Sequence, residues 1–464
     1  MGLNDYLKNE LDLMNLNSIY FDCRRSREMI MNKKGSDHLF SYTLIRLLYV
    51  ICLELVKTVI RTPLSSCFTN SFKKLNNKIV FYLPTNNNKA ALQLVVNEVC
   101  EKRKDVIVLD KKSEYKYFPF FQILLVSVIY IPQLLSQIRK LSKRDRSLVN
   151  CYIRDFFMTP GVVWFYHKML NTISPNSFIL ANDHSYETKS LILICEKYKV
   201  KTIYIQHASV SIGFPELHFT YSFLDGRDAL DVYMYNGKKI NGDVLVLGAS
   251  RYDDLSIYRK KRKFRDNNGC VGIAINEFDD NKRTDELCNS ILDMNPSLKI
   301  KIRSHPALKR KPFVLSNKKR IIYTCATDES IIDYFDSIDI LISGSSGIHL
   351  DALLSGVKTY YYNLTCYPFF DNYGYVKNGL LKKLDRLEDV NNTVLDYYDK
   401  KNNFTINKEY LLLYDASYGK EYSGNCHLII ADFIINNCNI AYLVSKYKME
   451  IKNENKISYY FIPI

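Results

Sequence analysis

The stretch DILISGSSGIHLDALLSG, Asp339 to Gly356, changes periodicity partway along. Asp339–Ser343 reads as a short buried strand and Gly347–Leu354 as a helix, with only small residues between them. A strand that feeds a helix through a tight turn is the repeating unit of a parallel sheet, because parallel strands need a crossover. The turn itself is Ser343, Gly344, Ser345, Ser346 and Gly347. Backbone N–H groups at a helix start and serine hydroxyls beside them suit a phosphate or a carboxylate. An ordinary N-cap uses the same residues without a ligand. The run is neither a P-loop, since no G-K-[ST] follows, nor G-x-G-x-x-G.

The same alternation extends in both directions. Downstream lies the strand KTYYYN; upstream lie CVGIAIN, a helix around Arg283 to Met294, LKIKIRSHP, RIIYTC and the helix ESIIDYFDSI. A first series precedes it: KIVFYLP, the helix KAALQLVVNEVCEKR, DVIVLD, a helix around Arg154 to Leu170, SFILAND, the helix YETKSLILICEKYK, KTIYIQHA, YSFLDG and DVLVLG. Two such series predict an α/β chain with two doubly wound, Rossmann-like parallel-sheet domains and a cleft between them. The expected segments are an N-terminal helical region (1–77), a first domain (78–249) containing an apolar segment (117–138), and a basic linker (250–269). A second domain (270–400) and a helical tail (401–464) packing back on the domains complete the chain.

Polar residues gather at strand ends, where open α/β sheets bind ligands. In the second series these are Asn276 and Glu277 after CVGIAI, and Arg303, Ser304, His305 and Pro306 after IKI. Arg303 or His305 can bring a donor toward the anion that the serine turn would hold, and Pro306 fixes the exit of the chain. In the first series Asn182, Asp183 and His184 end one strand, Gln206 and His207 the next, and Asp225 a third. Asn182 or Asp183 also suits a helix N-cap, and Asp225-Gly226 also suits a plain turn.

The chain has 464 residues, 47% hydrophobic and 24% charged, with a formal net charge of +15. This excludes a disordered chain and a polytopic membrane protein and favours polyanionic partners. Tyr117–Ile138 lacks charge, but Pro119, Pro132 and three glutamines interrupt it and lysines and arginines follow. A buried or interfacial helix is expected there. FSYTLIRLLYVICLELVKTVI, with Arg46, Glu54 and Lys57, reads as an amphipathic helix. The opening residues lack a signal-peptide pattern. Twelve cysteines, without a C-x-x-C pair, read as reduced core residues, with Cys52, Cys195, Cys270 and Cys325 in apolar runs.

These motifs resemble those of bacterial transferases of the GT-B fold with cytidine-activated donors: sialyltransferases, polysialyltransferases and Kdo transferases of capsule and lipopolysaccharide assembly, and more distantly the CDP-glycerol transferases. His305-Pro306 is similar to their His-Pro motif, Ser345-Ser346 to their paired serines, and YIQHASVSIGFPEL to a capsule-transferase segment. Asp225-Gly226 matches the acidic-acidic-glycine motif of polysialyltransferases only in part, since Leu224 replaces the first acid. The resemblance implies transfer of an acidic sugar from a CMP-activated donor to a glycan or lipid-linked acceptor. Asn276, Glu277, Arg303–Pro306 and Ser343–Gly347 would hold the donor, with His305 also in a catalytic role. Asp183 or His207 would be the base, and Asn182, His184, Gln206 and Asp225 would meet the acceptor. No D-x-D-like pair stands where a nucleotide would bind and no nucleic-acid recognition motif is present, so no cofactor, no metal and no nucleic acid are expected. With its basic clusters and apolar segment, a cytoplasmic enzyme at the inner face of the bacterial inner membrane, with an anionic membrane surface as partner, is expected. A CDP-polyol phosphotransferase and a non-catalytic nucleotide- or sugar-binding subunit are the alternatives.

Overall fold

Strand β1 (Ile79–Leu83) is buried at every position, as a strand covered on both faces must be. In the computed structural model it lies among β2 (Val106–Asp110), β3 (Ser177–Leu180), β4 (Lys201–Ile205), β5 (Tyr221–Leu224) and β6 (Asp243–Val246). These six run parallel in the order β6-β5-β4-β3-β1-β2. The strand order therefore reverses between β1 and β3. The structure describes residues 40–61, 71–142, 145–146, 149–150, 152–182, 185–211, 214–235, 239–261, 269–276, 278–305, 308, 318–369, 371–399, 407–454 and 457–463.

A second sheet is built from β7 (Cys270–Ile275), β8 (Lys299–Ser304), β9 (Ile321–Cys325), β10 (Ile340–Ser343), β11 (Lys358–Tyr362) and β12 (Lys382–Leu384). All six are parallel, in the order β12-β11-β10-β7-β8-β9, and the reversal falls between β7 and β10. Its two faces are both covered. Ile273, Ile300, Ile302 and Ile342 pack with Leu287 and Ile291 of the helix Asn281–Met294. Ala274 and Leu341 pack on the other side with Tyr334, Phe335, Ile338 and Ala352. A β-carbon at Gly272 would lie 2.4 Å from Ile338, so the helix side approaches the strand backbone directly.

The chain divides into two units. One comprises Met1–Leu224, Ala229–Leu247 and His427–Ile464, the other Asp225–Asp228 and Gly248–Cys426. The expected α/β class with two doubly wound parallel sheets is thus present, while the segment boundaries differ in two places. The expected linker contains a helix, Asp253–Lys261, with Leu255 and Ser256 buried and the Asp253 carboxylate accepting from the Cys426 amide at 3.2 Å. Its basic composition hid a stripe that packs in the second unit; 262–268 lie outside the described residues. The tail has the helices Lys408–Tyr414, Cys426–Ile435 and Ile440–Tyr447, but ends in a hairpin of β13 (Glu450–Glu454) and β14 (Ile457–Phe461). β14 joins β6 in parallel and so extends the first sheet. Charges at Glu450, Lys452 and Glu454, on an outermost strand, masked the alternation.

The first unit also contains the helices α1 (Phe40–Arg61), α2 (Phe120–Ile129), α3 (Ile131–Lys140) and α4 (Ile153–Leu170). The apolar segment forms α2 and α3, bent by 53° at a break that Pro132 follows. No single helix among the described residues is long and apolar enough to cross a membrane; the bent pair reaches that length and composition only together. Gly161 sets the distance between α4 and α2, since a β-carbon there would lie 2.0 Å from the Ile123 carbonyl oxygen. Helix propensity alone favours Gly161→Ala by up to about 1 kcal/mol. The contact reverses the sign, and the variant is expected to lose about 1–3 kcal/mol in urea unfolding. A stabilised Gly161→Ala would show that the two helices do not touch.

Candidate functional site

The carboxyl ends of the second sheet are level. Ser343, Ala274 and Arg303 occupy one register row, and Ile275 and Ser304 the next. β8 and β10 thus flank β7 on the same edge, and the two stretches that the sequence singles out come to either side of Asn276. Asn276 joins the serine turn to the end of β7: its Nδ2 donates to the Ser345 carbonyl at 3.3 Å. Its Oδ1 accepts from the Phe278 amide at 2.8 Å and its own amide donates to Asp279 Oδ2 at 2.7 Å. The His305 amide donates to the Ile275 carbonyl at 2.9 Å, which seats an exposed imidazole beside the same strand end.

The serine turn is held from below by a side chain that sequence reasoning missed. His349 is fully buried, with Nε2 at 2.9 Å from the Gly344 carbonyl and Nδ1 at 2.6 Å from Thr359 Oγ1. A carbonyl only accepts, so Nε2 carries the proton and Nδ1 receives the Thr359 hydroxyl. Burial brings this imidazole down to about 4, so it is neutral at pH 7. With Gly344 C=O directed at His349, the planar trans peptide turns the Ser345 N–H the opposite way. Ser345, Ser346 and Gly347 are half-buried, and a β-carbon at Gly347 would meet nothing within 4 Å. At Gly344 the space is taken instead by the Asp279 carboxylate, 3.0 Å from where a β-carbon would sit. Burial raises the Asp279 carboxyl to about 7, against the opposing hydrogen bond from the Asn276 amide.

Other expected donors are committed within the fold. Ser343 is fully buried and its hydroxyl donates to the Ala274 carbonyl at 2.7 Å, stitching β10 to β7. Arg303 is buried, its guanidinium 5.3 Å from the centre of the Tyr334 ring and 3.7 Å from Glu329, and donates to the Ser330 carbonyl at 3.5 Å. The Ser304 hydroxyl donates to the Thr324 carbonyl at 3.2 Å. The helix after the turn, Ile348–Leu354, is only two turns long, so the donors at this edge are individual N–H groups rather than a long helix dipole. Glu277 and Pro306 lie outside the described residues.

In the first unit Asn182 is buried just past β3, at the reversal between β1 and β3; Asp183 and His184, next in the chain, lie outside the described residues. Gln206 is buried past β4 and its Nε2 donates to the Ala208 carbonyl at 2.9 Å, with His207 half-buried beside it. The same edge holds two carboxyls that sequence reasoning missed. Glu114 comes after β2 and Glu187 lies in the first turn of the helix after β3. Tyr82 of β1 donates its hydroxyl to Glu114 Oε2 at 3.3 Å. Burial and then repulsion from Glu187 lift the Glu114 carboxyl to about 8, and burial raises Glu187 as well. Glu114 therefore holds a proton near neutrality and can pass it on. Asp225 is placed differently from the expectation of an acceptor contact. It is buried in an ion pair with Arg251 at 2.5 Å, and a β-carbon at Gly226 would lie 2.2 Å from the Leu413 carbonyl oxygen. Among the described residues, no group of three or more His, Cys, Asp or Glu side chains is placed to share a metal ion.

No protein-family model matches the chain, and neither does any curated protein. Solved structures give similarities of fold. The UDP-GlcNAc 2-epimerase from Neisseria meningitidis bound to UDP-GlcNAc is 15% identical over 77% of this chain and 100% of its own, with a TM-score of 0.48. The UDP-N-acetylglucosamine 2-epimerase from Rickettsia bellii is 11% identical over 80% and 98%, with a TM-score of 0.47. Acinetobacter baumannii MurG is 10% identical over 77% and 99%, with a TM-score of 0.42. No residue role is carried across from them.

Proposed function

We propose that the chain is a GT-B-type glycosyltransferase that binds a nucleotide-activated sugar at the carboxyl edge of its second sheet. The donor is a CMP-activated acidic sugar of the sialic acid or Kdo type, and the acceptor is a glycan of bacterial surface polysaccharide. The observation that carries the reading is the meeting of Asn276, the His305 backbone and the serine turn where the order reverses between β7 and β10. Open α/β sheets take their ligands at such a reversal. The choice of cytidine rests on the sequence resemblance of His305-Pro306 and Ser345-Ser346.

The chemistry is set by charge. As the glycosidic bond breaks, the electron pair goes to the leaving phosphate oxygen. Donors fixed before the reaction stabilise that oxygen more than they stabilise the ground state. The Ser345 N–H, the Ser345 and Ser346 hydroxyls and the His305 imidazole take this role. Arg303 acts one step back, through Glu329 and Tyr334 beside the strand end. The acceptor hydroxyl gives up its proton to a base, for which Asp183 and His207 are the candidates, with Asn182, His184 and Gln206 orienting the acceptor. Asp225 is left out of this set, because its carboxylate is engaged by Arg251.

Thermal unfolding with CMP, CDP, UDP and GDP tests the donor side. A ligand at a hundred times its Kd stabilises by about 2.7 kcal/mol. CMP is expected to raise the midpoint and His305→Ala to remove most of that rise. Equal responses to UDP and GDP would overturn the cytidine assignment. Incubation with CMP-activated acidic sugars then reads turnover. Binding of CMP without release from any such donor would favour a non-catalytic subunit, and transfer of phosphorus to the acceptor would indicate a CDP-polyol phosphotransferase.

A further inference from the structure

Helix α1 turns most of its polar residues inward. Thr43, Glu54 and Thr58 are buried together with Leu47, and Glu54 receives Arg154 of α4 at 2.7 Å through Nε and at 3.3 Å through a second guanidinium nitrogen. Outward face Ile45, Leu48, Tyr49, Val56, Val59 and Ile60, each keeping 54–77% of its surface exposed. Cys52, expected in the core, is exposed on the same helix. A helix of a water-soluble unit shows the reverse arrangement. The outward side chains recur at three- and four-residue spacing and form one stripe. On α2, which packs against α1, Phe121, Leu125 and Ile129 form a second exposed stripe at the same spacing. Contiguous apolar surface of this extent marks an interaction site.

Charge identifies the occupant. Lys111, Lys112 and Lys116 precede α2 and Arg139 and Lys140 close α3, all of them exposed. Between 111 and 146 the acids are Glu114, which is largely buried, and Asp145. A second copy of this chain would set like charge against like charge around the stripe. An anionic bilayer would neutralise it. Since no single described helix can cross a membrane, the face would lie in the interface, apolar side down.

We propose that the outer face of α1 and α2 is a docking surface for an anionic phospholipid bilayer, with α1 lying in the membrane plane. The proposal stands apart from the nucleotide reading, since none of its residues belongs to the second unit.

The test is co-sedimentation of the full chain with vesicles of phosphatidylcholine alone or mixed with phosphatidylglycerol. At 0.1 M salt the mixed vesicles are expected to bind at least tenfold more protein than the neutral ones, and 0.5 M salt to cut that binding severalfold. Leu48→Glu with Val56→Glu is expected to lower binding at least tenfold with an unchanged thermal midpoint. Should that pair impair folding, Val59→Ser with Ile60→Ser makes the same comparison more gently. Absence of sedimentation, or equal binding to neutral vesicles, would overturn the proposal. So would a vesicle-free dimer that the variants convert to a monomer without changing vesicle binding, which would assign the face to self-association.

Discussion

Arg251→Ala is expected to lower the stability of the second unit by about 3–5 kcal/mol, the range for removing one partner of a buried ion pair. Asp225 and Arg251 expose 5% and 9% of their side chains and meet at 2.5 Å. The guanidinium also lies 4.2 Å from the centre of the Tyr252 ring, whose hydroxyl bonds to the half-buried Asp351. Arg251 therefore offsets the buried Asp225 carboxylate and also favours the charged form of Asp351. Burial lifts the Asp225 carboxyl to about 7 even with the arginine pulling it down. Without the arginine it would rise further, and this gives the loss a pH dependence. An acid whose folded value lies above its unfolded value of about 4 contributes stability that is present below that value and lost as pH climbs through the folded one. The deficit of Arg251→Ala should accordingly be larger at pH 8 than at pH 6. The control is Asp225→Leu with Arg251→Met, which removes both charges and should recover much of the loss. Urea unfolding of wild type, Arg251→Met, Asp225→Leu and the double variant closes a double-mutant cycle. A single-variant loss under about 1 kcal/mol would mean that the pair is hydrated.

The contrast between Asp225 and Asn276 shows what the sequence can and cannot disclose. Both stand just past a strand, and strand ends are legible because alternation stops there. Every strand of the second sheet except β12 is visible in this way; β12, Lys382–Leu384, is too short and too charged to show a period. The role of a residue at a strand end is set by neighbours remote in sequence. Asp225 is taken up by Arg251, after another strand, and Ser343 by Ala274, on a strand beside it only because the order reverses there. Arg303 reads as a strand tip, whereas its register row with Ala274 and Ser343 faces it toward Tyr334. Asp279 and His349 escape notice for the converse reason. Asp279 stands in an acidic loop and His349 in an apolar helix, and only the approach of Gly344 and Thr359 gives them a role. Helix α1 is legible as amphipathic, but periodicity fixes a stripe and not which side of it is turned inward.

His349 carries the other large effect, on the acid side. Its imidazole, at about 4 in the fold against 6.5 as its ordinary value, is kept neutral by burial even though the Gly344 and Ser343 carbonyls favour the charged form. The unfolded chain takes up this proton first as pH falls. The contribution is therefore fully present above about 6.5 and is lost as pH descends toward 4. About two and a half pH units at 1.36 kcal/mol each make the loss about 3 kcal/mol. Asp279 runs the opposite way through a similar window, so the wild-type curve alone does not isolate the histidine. The difference between wild type and His349→Gln does. The amide of glutamine can still donate to Gly344 and accept from Thr359, and it does not titrate. The stability gap between the two proteins, measured by urea unfolding, should shift by about 3 kcal/mol in favour of the variant between pH 7 and pH 4. Parallel curves would mean that the imidazole is reached by water. His349→Leu probes the same turn in another way. It strands the Gly344 carbonyl, frees the peptide that sets the Ser345 N–H, and on the nucleotide reading should weaken CMP binding at least tenfold, whereas His349→Gln should keep most of it. If leucine leaves CMP binding unchanged, the serine turn does not hold the phosphate.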